Sequence, residues 1–347
     1  MQLTLAGMED AVAPPSPAPG PRAAAGAVAL SVPELSEAAG RYLLHAHAQR
    51  TLEAYRRDWE RFEGFCRQQG LSAMPCAPQT LALYLTALAE EGKATSSIRR
   101  VRIAIAKLHL REGHPRPDEA TCVRDVERGI RRRHGTAQKQ ARPLLPHELK
   151  KMVLALSNSP RDLRDRAVLL LGFAGGFRRA ELVALDVADV QRDAQGLLVR
   201  LVKSKTDRWG KGEYTALPPG VQPETCPVRA FDRYLEVLQT GTSGTCTQRP
   251  LFCASGRGAH HHRLCDARMP AGQVGRLVQR AAALAGLEAS AYSSHSLRAG
   301  LATSAYLAGA SLEDIQRQGR WSSRSAMLRY VRVAADFGPR NAARGLL

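Results

Sequence analysis

The sequence predicts a mainly α-helical protein of two domains. An N-terminal helical bundle precedes a mixed α+β, mostly helical domain with one small antiparallel sheet. The chain has 347 residues, 44% of them hydrophobic, which is enough for two domains that each bury a core. Apolar residues recur at steps of three and four along most of the chain after residue 50, as in amphipathic helices. Only residues 197–203 and 213–217 alternate in the manner of strands, so we expect a single hairpin.

The charge of the chain indicates a polyanionic partner. The formal net charge is +18 and the isoelectric point is near 10.2, and nucleic acid is the most direct explanation. An anionic membrane surface is the alternative, but no strongly basic amphipathic end supports it. The longest apolar run, residues 167–177, is about half of the ~20 residues that a spanning helix needs. The sequence therefore argues against membrane insertion.

The first residues and the cysteines favour a cytoplasmic protein. Residues 1–30 are rich in Ala, Pro and Gly, and we predict that they form a disordered leader. They lack the basic start and the uninterrupted apolar stretch of a secretory signal. The seven cysteines are odd in number, irregularly spaced and without a CxxC pair. This pattern is typical of reduced thiols.

Residues 31–135 are predicted to form the first domain, a bundle of four helices with short connections. Capping residues and glycines set the expected helix limits. The first helix runs from Thr51 to Gly70, and the others begin at Thr80, at Thr95 or Ser96, and near Pro117.

The third and fourth predicted helices carry an excess of basic residues. Residues 95–142 contain 13 Lys and Arg against five Asp and Glu. A solvated helix face explains part of this excess, and a face that contacts DNA phosphates fits better because the excess continues into the linker. The candidate DNA-binding residues are Arg99, Arg100, Arg102, Lys107, Arg131, Arg132 and Arg133.

A basic linker at residues 136–145 separates the two predicted domains, since this stretch has no apolar period and contains proline. Residues 146–347 are predicted to form the second domain. We expect its helices at residues 146–156, 162–173, 227–238, 271–285, 295–308, 312–318 and 323–330, with a further helix opened by an arginine pair at residues 178–179.

Motif searches exclude several enzyme classes and leave one weak metal hypothesis. The sequence has no phosphate-binding loop, Rossmann glycine fingerprint, HExxH motif or Ser-His-Asp elbow. Cys253, His260, His261, His262 and Cys265 suggest zinc, but their spacing matches no standard finger. A histidine run between glycines is more typical of a solvated loop, so we expect no metal.

Four other segments carry polar residues suited to one phosphate. Arg178 and Glu181 open a helix after two glycines, and arginine's planar fork matches two phosphate oxygens. Lys205 follows a strand, and His295 and Arg298 lie three residues apart on one helix face. The last segment contains Gly319-Arg320-Trp321 and then Tyr330. Taken singly, each segment also fits an ordinary structural role, namely a solvated cation or a packed His or Tyr.

Together, the four segments resemble the tyrosine recombinase (phage integrase) family. The residues Arg, Lys, His-x-x-Arg, His or Trp, and Tyr occur here in the family's order and at roughly its intervals, over about residues 45–345. Cys226-Pro227-Val228-Arg229-Ala230, Tyr330-Val331-Arg332 and Asn341-Ala342-Ala343 add supporting matches. The resemblance implies a SAM-like core-binding domain followed by a tyrosine recombinase catalytic domain.

The resemblance assigns a role to each residue. Tyr330 would be the nucleophile on the scissile phosphate, and Arg178 and Arg298 would hold its non-bridging oxygens. Lys205 would protonate the departing 5′ oxygen, and His295 would act in proton transfer at the nucleophile. The remaining assignments are Trp321, which would donate its indole N–H to the phosphate, and Glu181, which would support the arginines.

Three features depart from the family pattern. Phe177 stands where leucine is usual, which we expect to be a minor packing change. Trp321 stands where histidine is more common, and tryptophan donates a hydrogen bond but cannot exchange a proton. The adjacent Arg178 and Arg179 leave the register ambiguous, and counting back from Glu181 favours Arg178.

The function implied is site-specific DNA recombination through a 3′-phosphotyrosine, for integration or excision of a mobile element. The implied partner is double-stranded DNA, with homotetramers on paired sites, a monomer free in solution and a cytoplasmic, nucleoid-associated location. No cofactor is implied, because a phosphotyrosine conserves the bond energy. The alternatives are a type IB topoisomerase-like nicking and closing enzyme and a catalytically silent DNA-binding protein of the same fold.

Overall fold

The computed structural model describes residues 49–135, 141–201, 212–240, 249–256 and 263–335, with backbone alone for residues 49–50 and 332–335. The described residues belong to two compact units, divided between Gln138 and Lys139. The predicted leader, Lys205, His260, His261, His262 and the stretch after residue 335 lie outside the described residues.

The N-terminal unit contains the four predicted helices. They are α1 (Gln49–Gln69), α2 (Pro78–Glu90), α3 (Thr95–Arg111) and α4 (Thr121–His134). Their apolar faces meet in a core that contains Phe62, Leu85, Ile105 and Val123. The fourth helix begins later than predicted, because Pro117–Glu119 forms a separate 3₁₀ turn and Ala120 is extended (φ −67°, ψ 143°) before α4 starts.

The second unit is mostly helical, as predicted. Its helices are α5 (Pro146–Leu154), α6 (Pro160–Ala174), α7 (Arg179–Ala184), α8 (Pro227–Thr240), α9 (Ala271–Leu284), α10 (Ser294–Leu307), α11 (Leu312–Gly319) and α12 (Arg324–Ala335). Most of the longest apolar run, residues 167–174, lies on α6, and residues 167–171 are all buried in the core. No helix within the described ranges is long and apolar enough to span a membrane.

The prediction of one small sheet is wrong, because the second unit contains two. The first sheet has three antiparallel strands in the order β1 (Val190–Asp193), β2 (Gly196–Leu201) and β3 (Glu213–Leu217). The second pairs β4 (Cys253–Ser255) with β5 (Leu264–Arg268). In β1 only Val190 is buried, so no alternating pattern marks it in the sequence. β5 is exposed along nearly its whole length.

A separate apolar cluster lies at the C-terminal end of the second unit. Its buried residues are Ala302, Ile315, Trp321, Met327 and Val331. They come from α10, α11, α12 and the turn between the last two helices. This cluster holds α12, which carries Tyr330, against α10, which carries His295 and Arg298.

Candidate active site

Arg298 lies at the centre of the site. It projects from the second turn of α10, is 2% exposed, and donates from Nη1 to the carbonyl oxygen of Gly176. Its Nη2 is buried and has no hydrogen-bond partner among the described residues. Burial and the nearby charge of Arg178 lower the pKa of Arg298 to about 10, so it stays positive at neutral pH.

Arg178 is held in place by a carboxylate on the first turn of α7. Its Nη1 donates to Oε1 of Glu181 over 2.5 Å, and its backbone N–H donates to Oε2 over 2.9 Å. Burial alone would raise the pKa of Glu181, but these hydrogen bonds and the positive charges of Arg178 and Arg320 lower it below its ordinary value. Arg179 is exposed, so the structure brings Arg178, and not its neighbour, to Glu181.

Trp321 and Tyr330 complete the side of the site formed by the C-terminal cluster. Trp321 is 6% exposed, and its ring centroid lies 5.6 Å from that of Tyr330. Its Nε1 is buried without a hydrogen-bond partner in the described part of the chain. Tyr330 is half-buried, and its carbonyl oxygen accepts from Oγ1 of Thr303 on α10 over 2.8 Å.

His295 lies on the first turn of α10, three residues before Arg298. Its side chain is exposed, and its backbone N–H donates to Oγ of Ser293 over 3.1 Å. The structure therefore joins Arg178, Glu181, Arg298, Trp321 and Tyr330 in one site, with His295 on the exposed end of the same helix as Arg298. Lys205 lies outside the described residues, in the connection between β2 and β3.

Arg320 is a buried residue of this site that sequence reasoning missed. It follows the last residue of α11 and donates from Nη2 to Oε2 of Glu181 over 3.2 Å. Glu181 thus accepts from two arginines, Arg178 and Arg320. The only signal in the sequence is an arginine between Gly319 and Trp321, at a helix end where glycine is favoured.

Comparison with known proteins identifies the family. The model of the phage integrase family matches residues 142–336, more than half of the chain. The phage integrase N-terminal SAM-like domain matches residues 41–110. The chain belongs to the phage integrase family.

Similar proteins are site-specific tyrosine recombinases. The chain is 34% identical over 307 residues to an integrase/recombinase XerD homolog of Selenomonas ruminantium, with 87% of each chain covered. It is 25% identical over 299 residues to the recombinase Cre of Escherichia phage P1, covering 82% of this chain and 84% of that protein. The prediction that the chain is a DNA strand-transferring enzyme of the tyrosine recombinase family is confirmed.

Solved structures of recombinases share the fold. A XerH site-specific recombinase bound to a palindromic difH substrate, a post-cleavage complex, matches with a TM-score of 0.56 at 16% identity, over 78% of this chain and 71% of that one. A lambda integrase dimer bound to a COC′ core site matches with a TM-score of 0.54 at 18% identity, over 86% and 93%. The predicted fold class is confirmed.

Two of the seven basic residues predicted to contact DNA are engaged within the N-terminal unit of this recombinase. Arg102 is 18% exposed and binds Asp118 and Glu127 over 2.8 and 3.1 Å. Arg100 donates twice to Asp58, over 2.8 and 2.9 Å. Arg102 is enclosed by two carboxylates, so we assign it a structural role. Arg100 pairs with Asp58 but its side chain is 47% exposed, so its contact with DNA stays a prediction.

The other candidate DNA contacts are exposed. Arg99 and Arg132 have no carboxylate within ion-pair distance among the described residues, while Arg131 and Arg133 lie 4.0 and 3.6 Å from Glu127 and Glu90. Lys107 lies over the ring of Tyr55, 5.6 Å from its centroid.

Cys253 and Cys265, the two cysteines considered as zinc ligands, lie in different surroundings. Cys253 is fully buried on β4, where its Sγ donates to the carbonyl oxygen of Pro250. Burial raises the pKa of this thiol. Cys265 is exposed on β5, and within the described ranges no three His, Cys, Asp or Glu residues form a metal-binding group.

Proposed function

We propose that this chain is a site-specific recombinase that cleaves DNA through a covalent 3′-phosphotyrosine. The Tyr330 oxygen attacks the scissile phosphorus, the bond to the 5′ oxygen breaks, and the tyrosine proton passes to His295. Lys205 donates a proton to the departing 5′ oxygen. Rejoining reverses these steps, and the phosphotyrosine conserves the bond energy so that no nucleotide is consumed.

The observation that carries this proposal is a pair of buried donors without partners. Nη2 of Arg298 and Nε1 of Trp321 have no acceptor in the described residues, although the Arg298 guanidinium lies on the Trp321 ring. Leaving a buried donor unsatisfied costs about 1–3 kcal/mol, and more for a charged group. The non-bridging oxygens of a phosphate bound at the edge of this stacked pair can accept from both donors.

The charge balance of the site also favours an anion. Three arginines, Arg178, Arg298 and Arg320, face two carboxylates: Glu181 at the centre of the site and Glu213, which lies 3.9 Å from Nε of Arg320. Both oxygens of Glu181 are engaged by arginine donors, so Glu181 positions the arginines without neutralising them all. Phosphoryl transfer depends mainly on stabilising the negative charge that develops on the phosphoryl group, and fixed positive side chains provide this stabilisation.

We further propose that both units bind the same DNA duplex. The N-terminal unit, proposed as a core-binding domain over residues 31–135, contributes phosphate contacts from the exposed residues of the predicted set. These are Arg99, Arg100, Lys107, Arg131, Arg132 and Arg133. The basic linker at residues 136–145 then leads to the catalytic domain at residues 146–347. Phosphate contacts of this kind fix the position of the protein and carry no sequence information.

On paired target sites we propose a homotetramer that forms from monomers and integrates or excises a mobile element. The relatives support recombination rather than nicking and closing, because their names are those of recombinases and integrases. With DNA as the substrate, the proposed place of action is the nucleoid.

The test uses a nicked suicide substrate built from repeats in the DNA that flanks the gene. Wild type should form protein–DNA adducts that survive denaturation, and Tyr330→Phe should bind the same DNA without forming them. Exchange between two sites distinguishes a recombinase from a topoisomerase-like enzyme. Adducts that persist in Tyr330→Phe would show that another residue is the nucleophile.

A further inference from the structure

Arg320 has a backbone conformation that arginine rarely adopts. It follows α11 with φ 53° and ψ 49°, and it is the only non-glycine residue at positive φ among those that the structure describes. A Cβ makes this left-handed region unfavourable, and glycine occupies it freely. Arginine at this position therefore costs backbone free energy that its side-chain contacts must offset.

The Arg320 side chain joins three parts of the catalytic unit. Its Nη1 donates to the carbonyl oxygen of Gly175 over 3.1 Å, to Oγ1 of Thr215 on β3 over 2.6 Å, and to the carbonyl oxygen of Gln318 over 3.2 Å. Its Nη2 donates to Glu181, near the start of α7. The side chain is 6% exposed, so the guanidinium lies beneath the surface and between these elements.

Phe177 provides the face on which Arg320 rests. The Arg320 guanidinium lies 4.8 Å from the centroid of this buried ring, within the range of a cation–π contact. Phenylalanine at position 177, expected to be a minor packing change, therefore also contacts a buried arginine. A leucine there offers no aromatic face to a guanidinium.

Glu181 connects Arg320 to Arg178. Its Oε1 accepts from the Arg178 side chain, and its Oε2 accepts from the Arg178 backbone and from Arg320. Without Arg320, one donor on Oε2 disappears and the carboxylate is held only by the residue that it positions. Arg320 also immediately precedes Trp321, whose ring lies so close to Gly319 that a Cβ there would be 1.7 Å from a ring carbon.

We propose that Arg320 is a positioning residue for strand cleavage, which holds Glu181, and through it Arg178, at the scissile phosphate while fixing the turn that carries Trp321. This inference rests on the proposed function. It extends the site by a residue that acts on the phosphate through Glu181 and the Trp321 turn, since its two terminal nitrogens donate to Glu181, Thr215 and Gly175.

The test compares Arg320→Gly and Arg320→Lys with Arg317→Gln in single-turnover adduct formation on the nicked substrate. Arg320→Gly removes the guanidinium and relieves the backbone. Arg320→Lys keeps a charge but lacks the planar fork, whose Nη1 donates to Gly175 and Thr215 while Nη2 donates to Glu181. Arg317 lies in the last turn of α11, three residues before Arg320, with its side chain 80% exposed, and Arg317→Gln should cleave like wild type.

We expect both Arg320 variants to bind DNA with wild-type affinity and to cleave it more slowly, on the order of 10–100-fold, as when outer partners of a reactive group are removed. Millimolar guanidinium ion should restore part of the rate to Arg320→Gly, and ammonium ion should not. The charged groups that face Glu181 are Arg178, Arg298 and Arg320, and Glu213 on β3 lies 3.9 Å from Nε of Arg320. Losing one of these positive charges raises the pKa of Glu181, so the acid limb of the rate profile should move to higher pH.

A merely structural role predicts different results. Wild-type cleavage by Arg320→Lys overturns the inference, whether or not Arg320→Gly folds. A slower rate with an unmoved acid limb and no guanidinium rescue overturns it as well. If wild type itself forms no adduct, the proposed function fails and the inference fails with it, whereas normal adducts in both Arg320 variants reject the inference alone.

Discussion

The guanidinium carbon of Arg298 lies 4.0 Å from the centroid of the Trp321 ring. Stacking of this kind fixes the plane of the guanidinium and leaves its edge free to donate. Since Tyr330 packs on the same indole ring, one tryptophan orients both the proposed charge-stabilising arginine and the proposed nucleophile. Trp321 thus has two separable properties, a stacking surface and an N–H donor.

Trp321→Phe separates these two properties. Phenylalanine keeps an aromatic surface for Arg298 and Tyr330 but removes the Nε1 donor. We expect the variant to fold and bind DNA normally and to form adducts more slowly, on the order of the 10²–10³ typical for losing one donor to a developing charge. Wild-type cleavage in single-turnover assays would show that the ring, and not its N–H, is what the reaction needs.

Arg178→Ala and Arg179→Ala form a matched pair at adjacent positions. Arg178 is bound to Glu181, and Arg179 is exposed. We expect Arg178→Ala to slow adduct formation by about 10²–10³, and Arg179→Ala to have an effect smaller than tenfold. Equal losses in the same assay would mean that both arginines serve the phosphate.

Acid should remove the stabilising contribution of Glu181. Burial would raise its pKa, but hydrogen bonds from the backbone and side chain of Arg178 and the charges of Arg178 and Arg320 lower it below the ordinary value of 4.5. A carboxyl group whose pKa falls on folding stabilises the native state above its ordinary pKa, and this contribution disappears as the pH falls through the lower native value. It amounts to about 1.4 kcal/mol for each unit of lowering.

Glu181→Gln tests this dependence. We expect the difference in unfolding free energy between wild type and the variant to be constant above about pH 6, and to shrink as the pH falls below 4.5. Urea denaturation at a series of pH values from above about 6 to below 4.5 measures this difference in unfolding free energy. The control is Glu236→Gln, because Glu236 is exposed on α8. A difference that does not change with pH would contradict the lowered pKa of Glu181.

The sequence predicted the helices well and the charge network poorly, for physical reasons. In α3, residues such as Ile98 and Ile105 are buried because their spacing places them on one face of the helix, and this spacing is visible in the sequence. Arg99 and Arg102 look alike in the sequence, yet Arg102 binds Asp118, 16 residues away. Arg320 donates to Glu181, 139 residues away. A local sequence pattern cannot predict a contact between residues so far apart in the chain.

Arg102→Met and Arg132→Met should separate stability from DNA binding. Asp118 is 2% exposed, and losing Arg102 leaves it with Arg116 as its arginine partner. Glu127 loses Arg102 at 3.1 Å and keeps Arg131 at 4.0 Å. We therefore expect Arg102→Met to destabilise the N-terminal unit by about 1–3 kcal/mol, as when a buried polar group loses a partner. Chemical denaturation of the full chain measures this loss.

Arg132→Met should leave stability unchanged, because its side chain is exposed. We expect weaker binding by a similar factor on target and random DNA, and a log–log salt slope smaller by about 0.9. Salt titrations of both variants provide the comparison. Unchanged binding in Arg132→Met would make this residue part of a solvated face, and weaker binding by a stable Arg102→Met would return Arg102 to the DNA contacts.

Gly300→Ala should distort the helix that carries Arg298. A Cβ at residue 300 would lie 2.0 Å from the carbonyl oxygen of Leu144 and 2.9 Å from the ring of Phe173. Leu144 is held in turn by its N–H, which donates to the carbonyl oxygen of Ser296 over 3.0 Å. The backbone at Leu144 cannot yield without breaking this bond, so α10 must shift instead.

We expect Gly300→Ala to cost about 1–3 kcal/mol of stability, as overpacking usually does, and to slow adduct formation because Arg298 moves with α10. Gly275→Ala is the matched control within the same unit. It lies inside α9, and beyond its own helix backbone and chain neighbours the described residues place one atom within 4 Å of its added Cβ, the Ser294 nitrogen at 3.9 Å. Alanine there should be neutral or stabilise the protein by about 0.5–1 kcal/mol. Thermal unfolding measures the stability of both variants, and single-turnover assays measure their cleavage. Normal stability and cleavage in Gly300→Ala would show that the contact between Leu144 and α10 does not fix the position of Arg298.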